Sequence, residues 1–103
     1  MKTYTICGSM RFEKEMQEIA LELETNCNIN ILQCVYNPCN KPLSDAEISI
    51  LLQLHYQKID MSDGIYVVDI DGYIGQSVKK EIEYAKSHNK EIIFQSKFSD
   101  NKD

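Results

Sequence analysis

Glu81, near the start of a predicted helix, is the residue of this sequence whose type and position best suit chemistry. It lies four residues after Ser77, which can cap that helix, and the positive end of a helix dipole favours an ionised carboxylate. An ionised carboxylate beside a bound sugar can attack an anomeric carbon or stabilise an oxocarbenium ion, as in retaining glycosidases. The alternative interpretation is a glutamate on the solvent-exposed face of the helix.

Two aspartates, Asp69 and Asp71, mark the end of the predicted strand that precedes this helix. Open α/β folds bind their ligands at the carboxyl ends of their strands. A carboxylate there can bind sugar hydroxyls or exchange a proton with a base, which makes Asp69 the second catalytic candidate. Asp71 is followed by Gly72, so a simple turn is the competing interpretation, and Asp69 could equally cap the loop.

A second group of candidates follows the first predicted strand, at Gly8-Ser9-Met10-Arg11. Backbone N–H groups, a hydroxyl and a guanidinium together suit an anion such as phosphate. The alternative is a turn with a capping serine and a solvated arginine. No dinucleotide or P-loop glycine motif is present. The predicted substrate-binding residues are Gly8, Ser9, Met10, Arg11, Asp71, Gly75 and Ser77.

These residues need a scaffold, and the hydrophobic pattern predicts alternating strands and helices. The expected strands span 2–7, 29–35, 64–69 and 91–94, and the expected helices span 12–26, 44–59 and 77–89. Ser44 and Glu47 have the spacing of a capping box. The sequence therefore predicts a small doubly wound α/β fold, flavodoxin-like or Rossmann-like, with a parallel sheet of four to five strands and helices on both faces. One domain is expected over 1–95, followed by a polar tail over 96–103.

Composition limits the partners. The formal net charge is −5 with no basic patch, so a nucleic-acid polymer is not an expected partner. The sequence contains no apolar run long enough for a membrane span and no signal peptide, so a cytoplasmic protein without a membrane partner is expected. Four cysteines show no metal-binding spacing, and we predict reduced thiols, buried at Cys7 and Cys34, with no metal site and no cofactor. His55 lies on an apolar helix stripe and is interpreted as a partly buried core histidine.

Three segments resemble the nucleoside 2-deoxyribosyltransferase superfamily, which includes the 2′-deoxynucleoside 5′-phosphate N-hydrolases. They are CGSMR after the first strand, SDGIYVVDIDG around the third, and KKEIEYA in the last helix. The resemblance implies that Glu81 is a nucleophile that forms a glycosyl-enzyme. It also implies that Ser9 and Arg11 bind a 5′-phosphate, with Ser77 as a possible addition, and that the chain forms a homodimer or higher oligomer.

Two functions follow as hypotheses. The first is an N-glycosidase or deoxyribosyltransferase acting on a nucleoside or nucleotide. The second is a nucleotide-binding or sensing module of the same fold without catalysis. Intact Glu81 favours the enzyme. Two departures from the superfamily pattern favour the binding module. Thr5 stands where the hydrolases carry a tyrosine, and His55 or Lys58 stands where an acid is expected.

Overall fold

The computed structural model describes residues 1–98 of the chain. Its strands and longer helices, in chain order, are β1 (Thr3–Gly8), α1 (Glu13–Asn26), β2 (Asn30–Leu32), α2 (Asp45–Asp60), β3 (Gly64–Val68), α3 (Gln76–Ser87) and β4 (Glu91–Phe94). Short 3-10 turns follow β1, β3 and β4. Within residues 1–98, no helix combines the length and the apolar character that crossing a bilayer requires.

The four strands form one parallel sheet in the order β2-β1-β3-β4. The chain moves from β1 to one side of the sheet and then crosses back over it, so that β1 and β3 lie at the point where the strand order reverses. This order confirms the predicted doubly wound α/β fold. The crevice at such a switch point, outside the carboxyl ends of the strands, is the usual ligand site of an open parallel sheet.

Alternating side chains of the central strands supply two hydrophobic cores. On one face, Ile6 and Tyr66 pack with Met16 and Leu23 of α1. The opposite face packs against α2 and α3 through Cys7, Ile59, Ile65, Val67, Val78 and Ala85. Both faces of β3 are buried along its whole length, as its unbroken apolar sequence predicts. Helices therefore cover both faces of the sheet.

The start of α2 confirms the predicted capping box. The Ser44 hydroxyl accepts the N–H of Glu47 at 3.1 Å, and the Glu47 carboxylate accepts the N–H of Ser44 at 2.9 Å. The start of α3 differs from the prediction. Gly75 is the N-cap, and Ser77 lies inside the helix because the helix begins at Gln76. Glu81 consequently lies in the second turn, where the helix dipole acts more weakly than in the first.

The second strand is shorter than predicted. It pairs with β1 only from Asn30 to Leu32, opposite Thr3 to Thr5, whereas the apolar sequence predicted a strand over 29–35. β1 itself continues to Gly8 alongside β3. Because the chain turns away after Leu32, the carboxyl half of β1 is left beside an open space.

A side-chain contact crosses the sheet from β1 to β4. The Tyr4 hydroxyl donates a hydrogen bond to the Glu91 carboxylate, passing over Gly64, which lies between them in register. Lys2 also contacts this carboxylate, with an Nζ–Oε2 distance of 2.8 Å. Burial, and then the hydrogen bond to Glu91, raise the pKa of Tyr4 to about 12.

The chain after β4 stays close to the sheet over residues 95–98. Gln95 to Lys97 form a 3-10 turn, and the ring of Phe98 packs edge-on against Tyr66 with centroids 5.6 Å apart. Residues 96–98 of the predicted polar tail thus contact the domain. Residues 99–103 lie outside the described part of the chain.

Candidate functional site

A broad cavity of about 1350 Å³ opens beside the carboxyl half of β1. Its walls are α2, the irregular segment 33–43, the turn after β1 and the start of α3. We call it the α2 cavity. Small-molecule sites typically have volumes of about 300–1,000 Å³, so the cavity is large enough for such a ligand, and it is open because the short β2 leaves one side of β1 uncovered.

Six of the predicted site residues line the α2 cavity. They come from the turn after β1 and from the beginning of α3, and are Gly8, Ser9, Met10, Gly75, Ser77 and Glu81. The parallel sheet places these two segments together although about 65 residues separate them in the sequence. The Ser9 hydroxyl also accepts the N–H of Arg11 at 3.2 Å, so it caps the 3-10 turn while facing the cavity.

Glu81 is a buried carboxylate in the cavity wall. Only 6% of the residue is exposed, which shows that the surface-glutamate interpretation is wrong. Its Oε1 atom lies 3.6 Å from Nε2 of His55 on α2. Glu83, two residues further along α3, points to solvent instead. A buried carboxylate at a ligand-sized opening is rare in a protein interior unless it has a partner or a task.

Cys7 and His55 complete a polar cluster around Glu81. The Cys7 Sγ atom lies 3.5 Å from His55 Nε2, and both residues are buried. Burial, reinforced by the nearby Glu81 carboxylate, raises the pKa of the Cys7 thiol well above its usual range. Within residues 1–98, His55 Nδ1 is a buried side-chain atom without a hydrogen-bond partner. The predictions that Cys7 and His55 are buried are confirmed, but the sequence did not indicate their contact with each other or with Glu81. The prediction that Cys34 is buried is wrong, since it is only partly buried after the chain leaves the sheet at Leu32.

Three predicted residues do not line the α2 cavity as the structure describes it. The Arg11 guanidinium stacks on the Tyr73 ring, 3.8 Å from its centroid. The Asp69 carboxylate accepts the N–H and the hydroxyl of Ser96 at 2.9 and 2.6 Å. Asp71 is exposed in a 3-10 turn with a φ of 56°. Asp69 therefore anchors the segment after β4, and Arg11 is held against an aromatic ring.

A cation that the sequence did not single out for ligand binding faces the cavity from α2. Lys58 is the only lysine or arginine among the described residues that line it. Its Nζ atom donates to the carbonyl oxygen of Gln33 at 2.8 Å, which holds the ammonium group over the cavity. Its spacing from His55, three residues along one helix, could have indicated that both side chains face the same way.

The cavity thus combines a buried carboxylate, a serine hydroxyl with the turn around it, and one lysine, and two further carboxylates, Glu13 and Glu47, also line it. Such a set can bind an anion at one end and bring a carboxylate to a reacting carbon at the other. Comparison of the chain with protein-family models, with curated proteins and with solved structures finds no match.

Proposed function

We propose that the chain binds a nucleoside or nucleotide in the α2 cavity and cleaves its N-glycosidic bond through Glu81. The single observation that carries this proposal is the buried Glu81 carboxylate in the wall of a ligand-sized cavity, at the sheet edge where open α/β folds bind ligands. The outcome is hydrolysis when water resolves the intermediate and sugar transfer when a second base does.

The proposed reaction has two steps. One Glu81 oxygen forms a bond to C1′ of the sugar while the bond from C1′ to the base nitrogen breaks. The bonding electrons leave with the base, which takes up a proton from solvent. Water or a second base then attacks C1′ and releases a proton to solvent, the ester bond breaks, and the Glu81 carboxylate is restored, as in retaining glycosidases.

Substrate contacts follow from the residues around Glu81. In this proposal, Ser9 and the backbone of Gly8 and Met10 bind the sugar or its 5′-phosphate. Lys58 supplies the positive charge for that phosphate, a role that the sequence assigned to Arg11. Since Arg11 already stacks on Tyr73, its contribution would require the guanidinium to leave that ring.

The direct test is incubation with deoxynucleosides and their 5′-monophosphates, followed by chromatography for free base. We expect Glu81→Gln to lower release on the order of 10⁴-fold, because loss of a nucleophile removes the covalent route. Glu83→Gln, the same change on the exposed face of α3, is the matched control and should leave the rate unchanged. Lys58→Met should raise KM for the monophosphate more than for the nucleoside.

The same experiment distinguishes the enzyme from the second candidate function, a nucleotide-binding module without catalysis. A wild-type chain that releases no base but is stabilised against heat by a nucleotide would be a binding or sensing module, since a ligand that binds only the folded state stabilises it. Departures from the superfamily pattern at Thr5 and His55 favour that alternative. Neither release nor stabilisation with a full set of nucleotides would contradict both functions.

Exposed apolar side chains of α2, all of which line the α2 cavity, support a further part of the proposal, the homo-oligomer. Ile50 and Leu54 are 53% and 46% exposed, and Ile48 and Leu52 are each 44% exposed. No charged residue occurs from 48 to 54, so this patch would not repel its own copy despite the net charge of −5. The occupant we propose is a second copy of the chain, which would also close the open side of the α2 cavity.

Oligomeric state can be measured by size-exclusion chromatography with light scattering. We expect at least twice the chain mass of 11.9 kDa for the wild type and a monomer for Ile50→Glu. Gln17→Glu, which adds the same charge on the exposed side of α1, is the control and should retain the wild-type mass. A monomeric wild type at tens of micromolar would contradict the proposed dimer.

A further inference from the structure

Three side chains with different ligand atoms converge beneath the α2 cavity. Cys7 comes from β1, His55 from α2 and Glu81 from α3, and the three residues are 1%, 9% and 6% exposed. One thiol sulfur, one imidazole nitrogen and one carboxylate oxygen all lie within 4.8 Å of one another. A sulfur, a nitrogen and an oxygen from three different elements thus enclose one point in the protein interior.

Two of the three distances between these atoms match a tetrahedral zinc site. With zinc bonds of about 2.3 Å to sulfur and 2.0–2.1 Å to nitrogen and oxygen, tetrahedral angles place sulfur and nitrogen about 3.5 Å apart and nitrogen and oxygen about 3.4 Å apart. The structure has 3.5 Å between Cys7 Sγ and His55 Nε2, and 3.6 Å between His55 Nε2 and Glu81 Oε1. The third pair, the Cys7 sulfur and a Glu81 carboxylate oxygen, lies within 4.8 Å.

An ordinary hydrogen-bonded core cluster explains the contacts of His55 less well. The separation of 3.6 Å between His55 and Glu81 is too long for a good N–H···O bond. A thiol, the other neighbour of His55 Nε2, is a weak hydrogen-bond partner. Within residues 1–98, His55 Nδ1 is buried and lacks a hydrogen-bond partner. The imidazole thus makes no strong polar contact with this part of the chain, although burying a polar group normally requires one.

We propose that Cys7, His55 and Glu81 bind one zinc ion. Thiolate, imidazole and carboxylate form a donor set suited to zinc, whereas magnesium and calcium take oxygen ligands. Cys7 gives up its proton when the ion binds, and thiolate and carboxylate together balance the two positive charges. His55 and Glu81 line the α2 cavity, so the fourth position of the ion faces that cavity and accepts water or a donor atom of a ligand.

The sequence did not indicate this site because its ligands do not follow a local metal-binding spacing. Cys7 and His55 are 48 residues apart, and Glu81 follows 26 residues later. Zinc binding does not require the proposed glycosidase activity. One consequence does rest on that proposed function: an ion bound to the Glu81 carboxylate would withhold it from C1′, and zinc would inhibit base release.

The test uses the full chain, freed of metal with a chelator, and cobalt(II) as a coloured substitute for zinc. We expect one equivalent of cobalt to produce a thiolate-to-cobalt charge-transfer absorption, which one equivalent of zinc then removes. Zinc should also raise the Tm of the wild-type chain, because the ligands come together only in the folded state.

Two variants and one control identify the ligands. Cys7→Ser and His55→Gln should each lower cobalt affinity at least about 100-fold. Loss of a residue that only orients a metal ligand lowers the affinity about 10–100-fold, so a larger loss indicates a ligand. Two variants are used so that a folding defect in one does not decide the result. Cys39→Ser removes an exposed thiol outside the site and should keep the full absorption.

Absence of one-to-one binding in the wild type would overturn the proposal, as would unchanged binding in Cys7→Ser. Loss of the absorption in Cys39→Ser would assign the ion to the surface and would also overturn it. Base release, measured separately in the presence of chelator, tests the proposed function alone. A chain that cleaves without binding cobalt fails only the zinc proposal, and one that binds cobalt without cleaving fails only the glycosidase proposal.

Discussion

The packing around Gly64 predicts that Gly64→Ala destabilises the fold. A Cβ atom at this position would lie 2.4 Å from the carbonyl oxygen of Glu91, 2.8 Å from the Glu91 Cβ atom and 2.8 Å from Cε2 of Tyr4. Ordinary contact begins near 3.4 Å, so the backbone of β4 would have to retreat by about 1 Å. Such a shift would stretch interstrand hydrogen bonds of about 2.9 Å beyond their useful range. The glycine is therefore needed so that Tyr4 can reach Glu91 across β3.

The expected loss follows from two opposing effects. Overpacking costs about 1–3 kcal/mol, here at the upper end because one clash is with backbone. Alanine restricts the unfolded chain, which returns about 0.4–1 kcal/mol. The net loss is about 2 kcal/mol of unfolding free energy, or a fall in Tm of about 8–16 °C for a domain of this size.

Urea and thermal unfolding followed by circular dichroism measure this loss. Gly75→Ala is the matched control, because a Cβ there would meet only Tyr73, at 3.8 Å and beyond. We expect the control to stay within about 1 kcal/mol of the wild type. If Gly64→Ala is as stable as Gly75→Ala, β4 does not pack closely against Tyr4 and Gly64.

Two further predictions concern polar contacts. Ser96→Ala should cost about 1–3 kcal/mol of unfolding free energy in a denaturation experiment, because it removes the hydroxyl hydrogen bond to the Asp69 carboxylate and leaves only the backbone one. An unchanged midpoint would show that the segment after β4 is not anchored there. The hydrogen bond from Lys2 lowers the pKa of Glu91 below 4.5, so its contribution to stability is present above that pH and is lost as the pH falls through the lowered value. Glu91→Gln should therefore make unfolding free energy less dependent on pH below 4.5, and equal slopes in both proteins would contradict the assignment.

The fold could be predicted from the sequence because its determinants are local. Ser44 and Glu47 define the start of α2 through contacts three residues apart, and the apolar run of β3 indicates a strand buried on both faces. The early end of β2 could not be predicted in this way. Its apolar residues continue to Val35, yet the chain turns away after Leu32 and places Val35 63% exposed beside the α2 cavity.

The candidate site was predictable only in part, for a related reason. Motif position identified Glu81 and the turn at Ser9, because both follow strands that end at the same edge of a parallel sheet. The contact of Cys7 with His55 depends on how α2 lies across the sheet, which no local spacing encodes. The hydrogen bonds from Ser96 to Asp69 likewise depend on where the chain runs after β4. The contact of Arg11 with Tyr73 depends on the geometry of the turns after β1 and β3, which residue propensities do not determine.

The way α2 is held to the sheet affects how tightly any ligand can bind. Only His55 and Ile59 of this helix are buried, and both lie in its second half, while its first two turns depend mainly on the Ser44 cap. Helix segments with few buried contacts open locally at low free-energy cost, and amide hydrogen exchange should be faster there than in β3. The first half of α2, which forms part of the cavity wall, is therefore weakly held to the sheet. Part of a ligand's binding free energy must then be spent on ordering that wall, so its measured affinity will be weaker than its contacts alone would give. Any mutation or partner that rigidifies the first half of α2 should strengthen binding without touching the ligand.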